Sequence, residues 1–414
     1  YWENAQEVID HAASLGLVIY PQIATVGYSD GLLFHDPNLV SAMPVVDSRY
    51  LVQGGLADVA QDPATSMRDP GFEVYSGDTF TEWDYQDSPG RVSFVDTAVK
   101  KEGQASIRFE NLKGSNGRVY QVVTVQPWHA YHVRFWVKTD AFASSSGVKF
   151  YAADAETGIA LSFNNLGIQP TQDWTEHHMV FNSREYTQVR IYAGSWSGTT
   201  GRLWLDGGLL EEVGPLNITR REGTPLKVTD LSGALEYEEG VDFARLEDPL
   251  LGPLEANGYS YSLYHPWPKI EILPGGAIRE GETLRVSWYH ALIVLDSQVA
   301  NALKDPKVLE IIDHQVTGVR DLFQPPGYYM SVDEYRAGGW DAQERATGKT
   351  AGGLLSDFTT ELVGVFDRVD PGSDLLVWSD MYDPYHNAHE DFYLTYETMA
   401  ESWVGLPSRV SIGN

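Results

Sequence analysis

The chain has 414 residues and carries 58 Asp plus Glu against 29 Lys plus Arg, a formal charge of -29. That length accommodates two or three domains with cores of their own, and that charge repels nucleic acid and anionic membranes, so neither is expected as a partner. There is no cysteine, which excludes disulfides, thiolate metal sites and thiol nucleophiles, and no apolar run is long enough to span a bilayer.

In chain order, residues 3–15 (ENAQEVIDHAASL) have helical spacing, with Ala5, Val8, Ile9 and Ala12 on one face and Gly16 as the stop. LVIYPQI (17–23) then reads as a short buried strand, an α-then-β step of the kind found in α/β folds. The chain opens YWENAQEVIDHA, inside a helix and without methionine, so the lack of a secretory leader says nothing. ATVGYSDGLLFHDPNL reads as a long loop.

Near residue 67 the texture changes. From there to about residue 215 the chain is a run of short alternating segments, among them ASIRFENL, RVYQVVTV, YHVRFWVKT, GVKFYAAD, QVRIYAG and RLWLDGGLL, separated by Gly, Ser, Asn and Asp. This is the pattern of a β-sandwich. Residues 216–283 are also β-rich: TPLKVTDLSGALEYEEGVDFARLED reads as hairpins and YSLYHPWPKIEIL as one long strand. Strand and helix then alternate over 284–414: LRVSWYHALIV as strand, 296–323 as a helix broken at Pro306, GYYMSV (327–332) as strand, SDFTTELVGVFDRV as helix, DLLVWSDM as strand and RVSIGN as the start of another.

Such alternation predicts a (β/α)8-type barrel, with residues 1–66 and 284–414 in the barrel, 67–215 as an inserted sandwich and 216–283 as a small connecting β-layer. Only five barrel-type strands are visible, at 17–23, 284–292, 327–332, 374–380 and 409–413, where closure needs eight. The expectation is therefore the middle of a barrel, incomplete at both ends, with YYMSV as its fourth strand. Unpaired sheet edges of that kind favour a homo-oligomer or a partner segment that completes the barrel.

Reactive groups of barrel enzymes sit where strands end. Asp333 and Glu334 follow YYMSV, with Arg336 and Trp340 close behind; Trp378, Asp380, Tyr382 and Asp383 follow the next strand; Trp288, Tyr289 and His290 end the strand before; Tyr28, His35 and Asp36 lie in the first loop. Sugar cleavage needs such a mixture of a protonated carboxyl, a second group facing the oxocarbenium-like charge and aromatic faces for pyranose rings. The structural readings stand beside it. An Asp-Glu pair also suits a solvated turn or helix start, Arg336 a salt bridge and Trp340 packing. HNAHED (386–391) lacks the pattern of a zinc helix, so no metal is assigned to the reactive site and no cofactor is required. Trp83, Trp174 and Trp204 fit a sandwich core, and Trp196, in GSWSG, is placed on a loop as a sugar platform. DPGFE and LWLDGG shape turns and are the one place suited to a structural calcium.

Two resemblances follow from these stretches. DPGFE with Trp83, DWTEHHMVFNS (173–183) and LWLDGGLLEEV, in that order over about 150 residues, resemble carbohydrate-binding jelly rolls of polysaccharide-degrading enzymes. VDE after a strand, with WSDM on the next, is similar to family 20 glycoside hydrolases and related retaining barrels. The resemblance implies a glycoside hydrolase acting on a β-linked polysaccharide or oligosaccharide, with Glu334 as acid/base and Asp333 as its partner, orienting an N-acetyl group if the substrate has one. It also implies an extracellular or periplasmic setting. Ser-Val before Asp-Glu departs from the glycine-rich approach of family 20. A β-N-acetylhexosaminidase and a non-catalytic glycan-binding protein are the alternatives.

Overall fold

A computed structural model describes residues 2–143, 145–252, 261–295 and 298–413. The alternating region forms two five-stranded sheets. One runs Ala160–Asn165, Val148–Asp154, Gln188–Ser195, Gly117–Thr124, Tyr85–Gln86 in spatial order. The other runs Gln172–Asn182, Ala130–Asp140, Arg202–Glu212, Ser106–Phe109, Ser93–Asp96. The pairings within both are antiparallel. Period-two side chains explain the packing: in GRVYQVVT, positions 117, 119, 121 and 123 are buried and those between are not. Val119, Phe109, Phe135, Phe150, Ile191 and Leu205 meet in a core drawn from residues 67–210. A β-sandwich is thus present, as the alternation predicts.

A six-stranded antiparallel sheet follows the order Glu236–Tyr237, Lys227–Asp230, Thr283–His290, Met43–Gln53, Leu56–Val59, Ile270–Glu271. This corrects two expectations. Residues 43–59, read as part of the barrel, are strands here. The 284–292 segment pairs antiparallel with residues 43–51 and is no barrel strand. The physical reason is visible in TLRVSWYH, where Leu284, Val286, Trp288 and His290 are buried and the residues between are half-buried; parallel strands covered on both faces are apolar throughout. Of the long strand expected in YSLYHPWPKIEIL, only Ile270–Glu271 and the bridging Ile272 are paired among the described residues, because Pro266 and Pro268 remove ladder donors. The connecting layer includes 253–260, which lie outside the described residues.

The remaining elements are α/β. Strands Gly327–Tyr329, Asp374–Trp378 and Val410–Gly413 run parallel. Gln22 bridges Tyr329 in the same sense, with the Ile23 amide donating to the Tyr329 carbonyl at 2.8 Å. Four parallel segments therefore stand side by side in chain order, the first two separated in sequence by the whole sandwich. The described residues show this open array and no closed barrel. Since 284–292 belongs elsewhere, YYMSV lies directly beside residues 21–23, and its numbering as fourth strand has no support. Leu17 and Val18, expected in a buried strand, are 61% and 68% exposed; an apolar run specifies a face but not what covers it.

Helices Pro306–Phe323 and Ala351–Val369 pack together over one face of the parallel strands, where Val308, Ile312, Phe358 and Leu362 meet Tyr328, Met330, Leu375 and Val377. Pro306 does not break the first of these helices but starts it. It occupies the first turn, where its missing N–H costs nothing, and Asp305 accepts the Lys307 amide at 3.0 Å. Residues 298–304, expected to be helical, precede that cap; 296–297 lie outside the described residues. Among the described residues no helix is long and apolar enough to cross a membrane.

One buried ion pair ties the layers together. Arg221 donates to Asp341 at 2.6 Å and to the Asn38 and Val40 carbonyls at 2.7 and 3.0 Å, while Asp341 accepts the Ala42 amide at 3.0 Å. Removing one partner of such a pair leaves an uncompensated buried charge and typically costs about 3–5 kcal/mol. Arg221→Leu is therefore expected to lower stability by about 3 kcal/mol or more, with Arg221→Leu/Asp341→Leu recovering part of the loss. Urea denaturation midpoints check this; equal midpoints for the single and double variants would show that the two residues are not coupled.

Candidate active site

The site forms where three neighbouring parallel segments end. After Tyr329 the chain keeps one more sheet bond, from the Met330 amide to Leu376, and then turns through left-handed backbone. Ser331, Val332, Glu334 and Ala337 have φ of 60°, 57°, 37° and 46°. For a β-branched residue such as Val332 this conformation is strained, of order 1–3 kcal/mol, and persists only where the surroundings hold it. They do. Thr25 Oγ1 donates to the Met330 carbonyl at 2.5 Å and Gln22 Nε2 to Ser331 Oγ at 3.3 Å. The Asp333 amide donates to Val26 at 3.1 Å and the Trp378 amide to Ser331 at 3.2 Å. Gly27, at φ 59°, lies against the Asp333 and Glu334 carbonyls so closely that any Cβ would collide with them.

Held this way, three carboxyl groups converge. The Glu334 amide donates to Asp380 Oδ2 at 3.2 Å. Glu334 Oε2 accepts from the Tyr28 hydroxyl at 2.9 Å and pairs with the buried Arg336 guanidinium, which also donates to the Leu295 carbonyl at 3.0 Å. Asp333 is half-buried and hydrogen-bonded to Asp380. Burial first, then the Asp380 charge and that hydrogen bond, then Glu334, push the Asp333 carboxyl up to about 7 against the opposing pull of Arg336. The polar accounting agrees. Asp380 Oδ1 is buried and has no hydrogen-bond partner among the described residues, a position that favours a protonated neighbour. Beside the acids, the Tyr329 and Trp378 rings meet at 4.5 Å, and Trp378 is 37% exposed. Burial, Asp380 and Asp333 raise the Tyr329 hydroxyl.

The structure thus brings together Asp333, Glu334, Arg336, Asp380 and Trp378. Burial and Asp380 raise the Asp333 carboxyl, expected to be the orienting partner, while Glu334, expected to be the acid, is the carboxylate engaged by Arg336. Other candidates lie elsewhere. Tyr382 is buried on the helix side, its hydroxyl 2.6 Å from Thr359 Oγ1. Asp383 accepts the Tyr385 amide and shapes a turn. Tyr289 and His290 lie in the antiparallel sheet; His290 is buried, 3.2 Å from Asn182 Nδ2, and burial lowers its imidazole to about 3. Trp340 is buried, donates to Leu394 at 2.7 Å and packs on Trp128 and Tyr396. His35 is exposed just beyond the short helix Asp30–Leu33. None of these six reaches the Asp333–Glu334–Asp380 group in any hydrogen bond among the described residues, because strand-end position in the sequence does not say which way a side chain points.

Trp196 lines a cavity of about 790 Å³ between the sandwich and residues 391–397. Its ring is flanked by Arg118 at 5.5 Å and Lys149 at 5.3 Å. Tyr151 and Tyr192 line the same cavity and were missed in the sequence, although period two in VKFYAAD and QVRIYAGS puts Lys149 with Tyr151, and Arg190 with Tyr192, on one face. The cavity leads toward the acids: Phe163 and Tyr393, both lining it, meet at 5.7 Å, and Arg336 lies 5.1 Å from the Tyr393 ring centre. Elsewhere in the sandwich, Asp206 accepts the Lys101 and Glu102 amides and Glu73 the Gln104 amide. These acids of the DPGFE and LWLDGG turns are therefore engaged by backbone donors, and among the described residues no group of three or more His, Asp or Glu is placed to hold a metal.

No protein-family model matches the chain, and no curated protein matches it. Several solved structures with partial likeness are carbohydrate-binding modules of low identity. A xylan-binding domain from Paenibacillus barcinonensis shares 15% identity over 37% of this chain and 98% of its own, with a TM-score of 0.28. A module solved with β-1,4-galactotriose shares 20% over 35% and 97%, with a TM-score of 0.27. A cyclase from Fischerella shares 13% over 36% and 95%, with a TM-score of 0.29.

The acid pair yields a titration test. Asp380→Asn removes the charge that, after burial, most raises Asp333, so the Asp333 carboxyl should titrate well below 7 in the variant. Carbon-13 NMR of the labelled carboxyls reads this directly. An Asp333 midpoint unmoved by Asp380→Asn would leave burial and the Glu334 charge as its causes. Gly27→Ala should displace the 331–334 turn and perturb the same signals.

Proposed function

We propose that the chain is a carbohydrate-active enzyme that hydrolyses glycosidic bonds, with Asp333 as general acid. The observation that carries this reading is the Asp333–Asp380 pair beside an Arg336-held Glu334, where adjacent parallel strands end. A carboxyl that titrates near 7 is about half protonated at neutral pH and largely protonated below it, and can give its proton to a glycosidic oxygen as the bond breaks. Asp380 keeps that proton in place. Glu334, fixed by Tyr28 and Arg336, is the negative group available to face the oxocarbenium-like charge. Tyr329 and Trp378 offer ring faces to a pyranose. A β-linked polysaccharide or oligosaccharide in an extracellular or periplasmic setting remains the proposed substrate and place. The N-acetylhexosaminidase alternative keeps the same acids but requires Asp333 to orient an acetamide.

A second reading, a non-catalytic glycan-binding protein, is favoured by the aromatic cavity on the sandwich. Steady-state kinetics separate the two. Asp333→Asn is expected to lower kcat on an unactivated oligosaccharide by about 10²–10⁴-fold, the usual contribution of general acid catalysis. Activated aryl glycosides, which need less proton donation, should lose less. Wild-type turnover should fall as pH rises through about 7, when Asp333 gives up its proton. A selective loss on N-acetylated substrates would favour the hexosaminidase form. Unchanged turnover in Asp333→Asn would refute the assignment, and a wild-type chain that binds glycans but cleaves none across a panel would establish the second reading.

A further inference from the structure

In a chain of net charge -29, four cations line the cavity between the sandwich and residues 391–397: Arg118, Lys149, Arg184 and Arg190. Two are already matched, Arg118 with Asp87 at 2.9 Å and Arg184 with Glu185 at 3.4 Å. The other two have no carboxylate partner among the described residues. Arg190 donates to the Ala155 carbonyl at 2.7 Å and lies 5.1 Å from the Tyr120 ring centre, and Lys149 lies over Trp196. Both side chains stand on the same sheet face as Tyr151 and Tyr192, since Val148–Asp154 and Gln188–Ser195 are paired neighbours. The opposite wall carries Asp391 and Glu397.

We infer that this cavity binds a saccharide bearing anionic groups, uronate carboxylates or sulfate esters, and this rests on the saccharide reading of the proposed function. The walls divide the work. Lys149 and Arg190 meet the anionic groups, and a cation held against an aromatic ring in a partly desolvated wall interacts more strongly than one in open water. Tyr151, Tyr192 and Trp196 supply apolar surface for sugar rings. Asp391 and Glu397 accept hydrogen bonds from hydroxyls and repel an anion from that side, so the ligand is oriented. The general repulsion from the acidic surface fades beyond about 10 Å at 0.1 M salt, whereas the contacts inside the cavity are short. Phe163, Tyr393 and Arg336 then connect the bound chain to the acids at the strand ends.

Calorimetric titration of the full chain with tetragalacturonate, its methyl ester and a sulfated galactan tetrasaccharide tests this. The ester keeps the skeleton and removes the charge. Binding of the acid or the sulfated sugar at least tenfold tighter than the ester is expected. Lys149→Gln/Arg190→Gln should abolish that preference while leaving ester binding and the circular dichroism spectrum unchanged. Preference for the acid identifies uronates as the source of charge, and preference for the sulfated sugar identifies sulfate esters. Equal affinity for charged and uncharged forms, no binding of any, or a double variant that keeps the preference would overturn the inference. Failure of the catalytic reading looks different: anion-selective binding persists in a chain that cleaves nothing.

Discussion

The buried Arg221–Asp341 pair is the constraint on which the relative placement of the other parts depends. Three separate stretches, at 38–42, 221 and 341, meet at one guanidinium, which answers two backbone carbonyls as well as the carboxylate. Arginine suits the position because its planar fork stays charged and reaches several acceptors at once. Glu344 lies next to it, fully buried, accepting the Leu303 amide at 2.7 Å and raised to about 8 by burial and by Asp341. Being neutral in the folded chain near pH 7 and ionised when unfolded, Glu344 contributes stability that is fully present below about 4.5 and lost as pH rises through about 8. A cluster that favours mildly acidic conditions thus holds the strap running from Arg336 to Glu344.

That strap is what sets the site. Arg336 at one end reaches Glu334, and Trp340, in the middle, is buried against Trp128 and Tyr396. Between strand and strap, three non-glycine residues, Ser331, Val332 and Glu334, adopt left-handed backbone, and the cost is met by the loop around Gly27 on one side and by residues 378–380 on the other. Strain of this kind accumulates where side chains must be aimed. Here it sets Asp333 against Asp380, and that contact together with burial raises the Asp333 carboxyl.

The sandwich is inserted between two strands that are neighbours in the parallel array, and its cavity faces back onto residues 391–397. Tyr393 belongs to both surroundings, lining the cavity and carrying Arg336 over its ring. A ligand in the cavity and a group at the acids would therefore share a wall.

Local patterns in the sequence determine the sandwich, the helical character of 306–323 and 356–369 though not where either helix begins, and the clustering of acids after two strands, because periodicity and strand-end chemistry are short-range properties. They do not determine strand partners. TLRVSWYH reads as a barrel strand until its alternation is weighed, and its true neighbour, 43–51, is more than 200 residues away. Nor do they determine protonation. Adjacent Asp333 and Glu334 are chemically equivalent on paper, and only the tertiary structure sends one toward Asp380 and the other toward Arg336. Charge, desolvation and pairing act through space, so the different surroundings of the two acids, the burial of Trp340 and His290 and the cationic lining of the cavity follow from the fold and not from spacing along the chain.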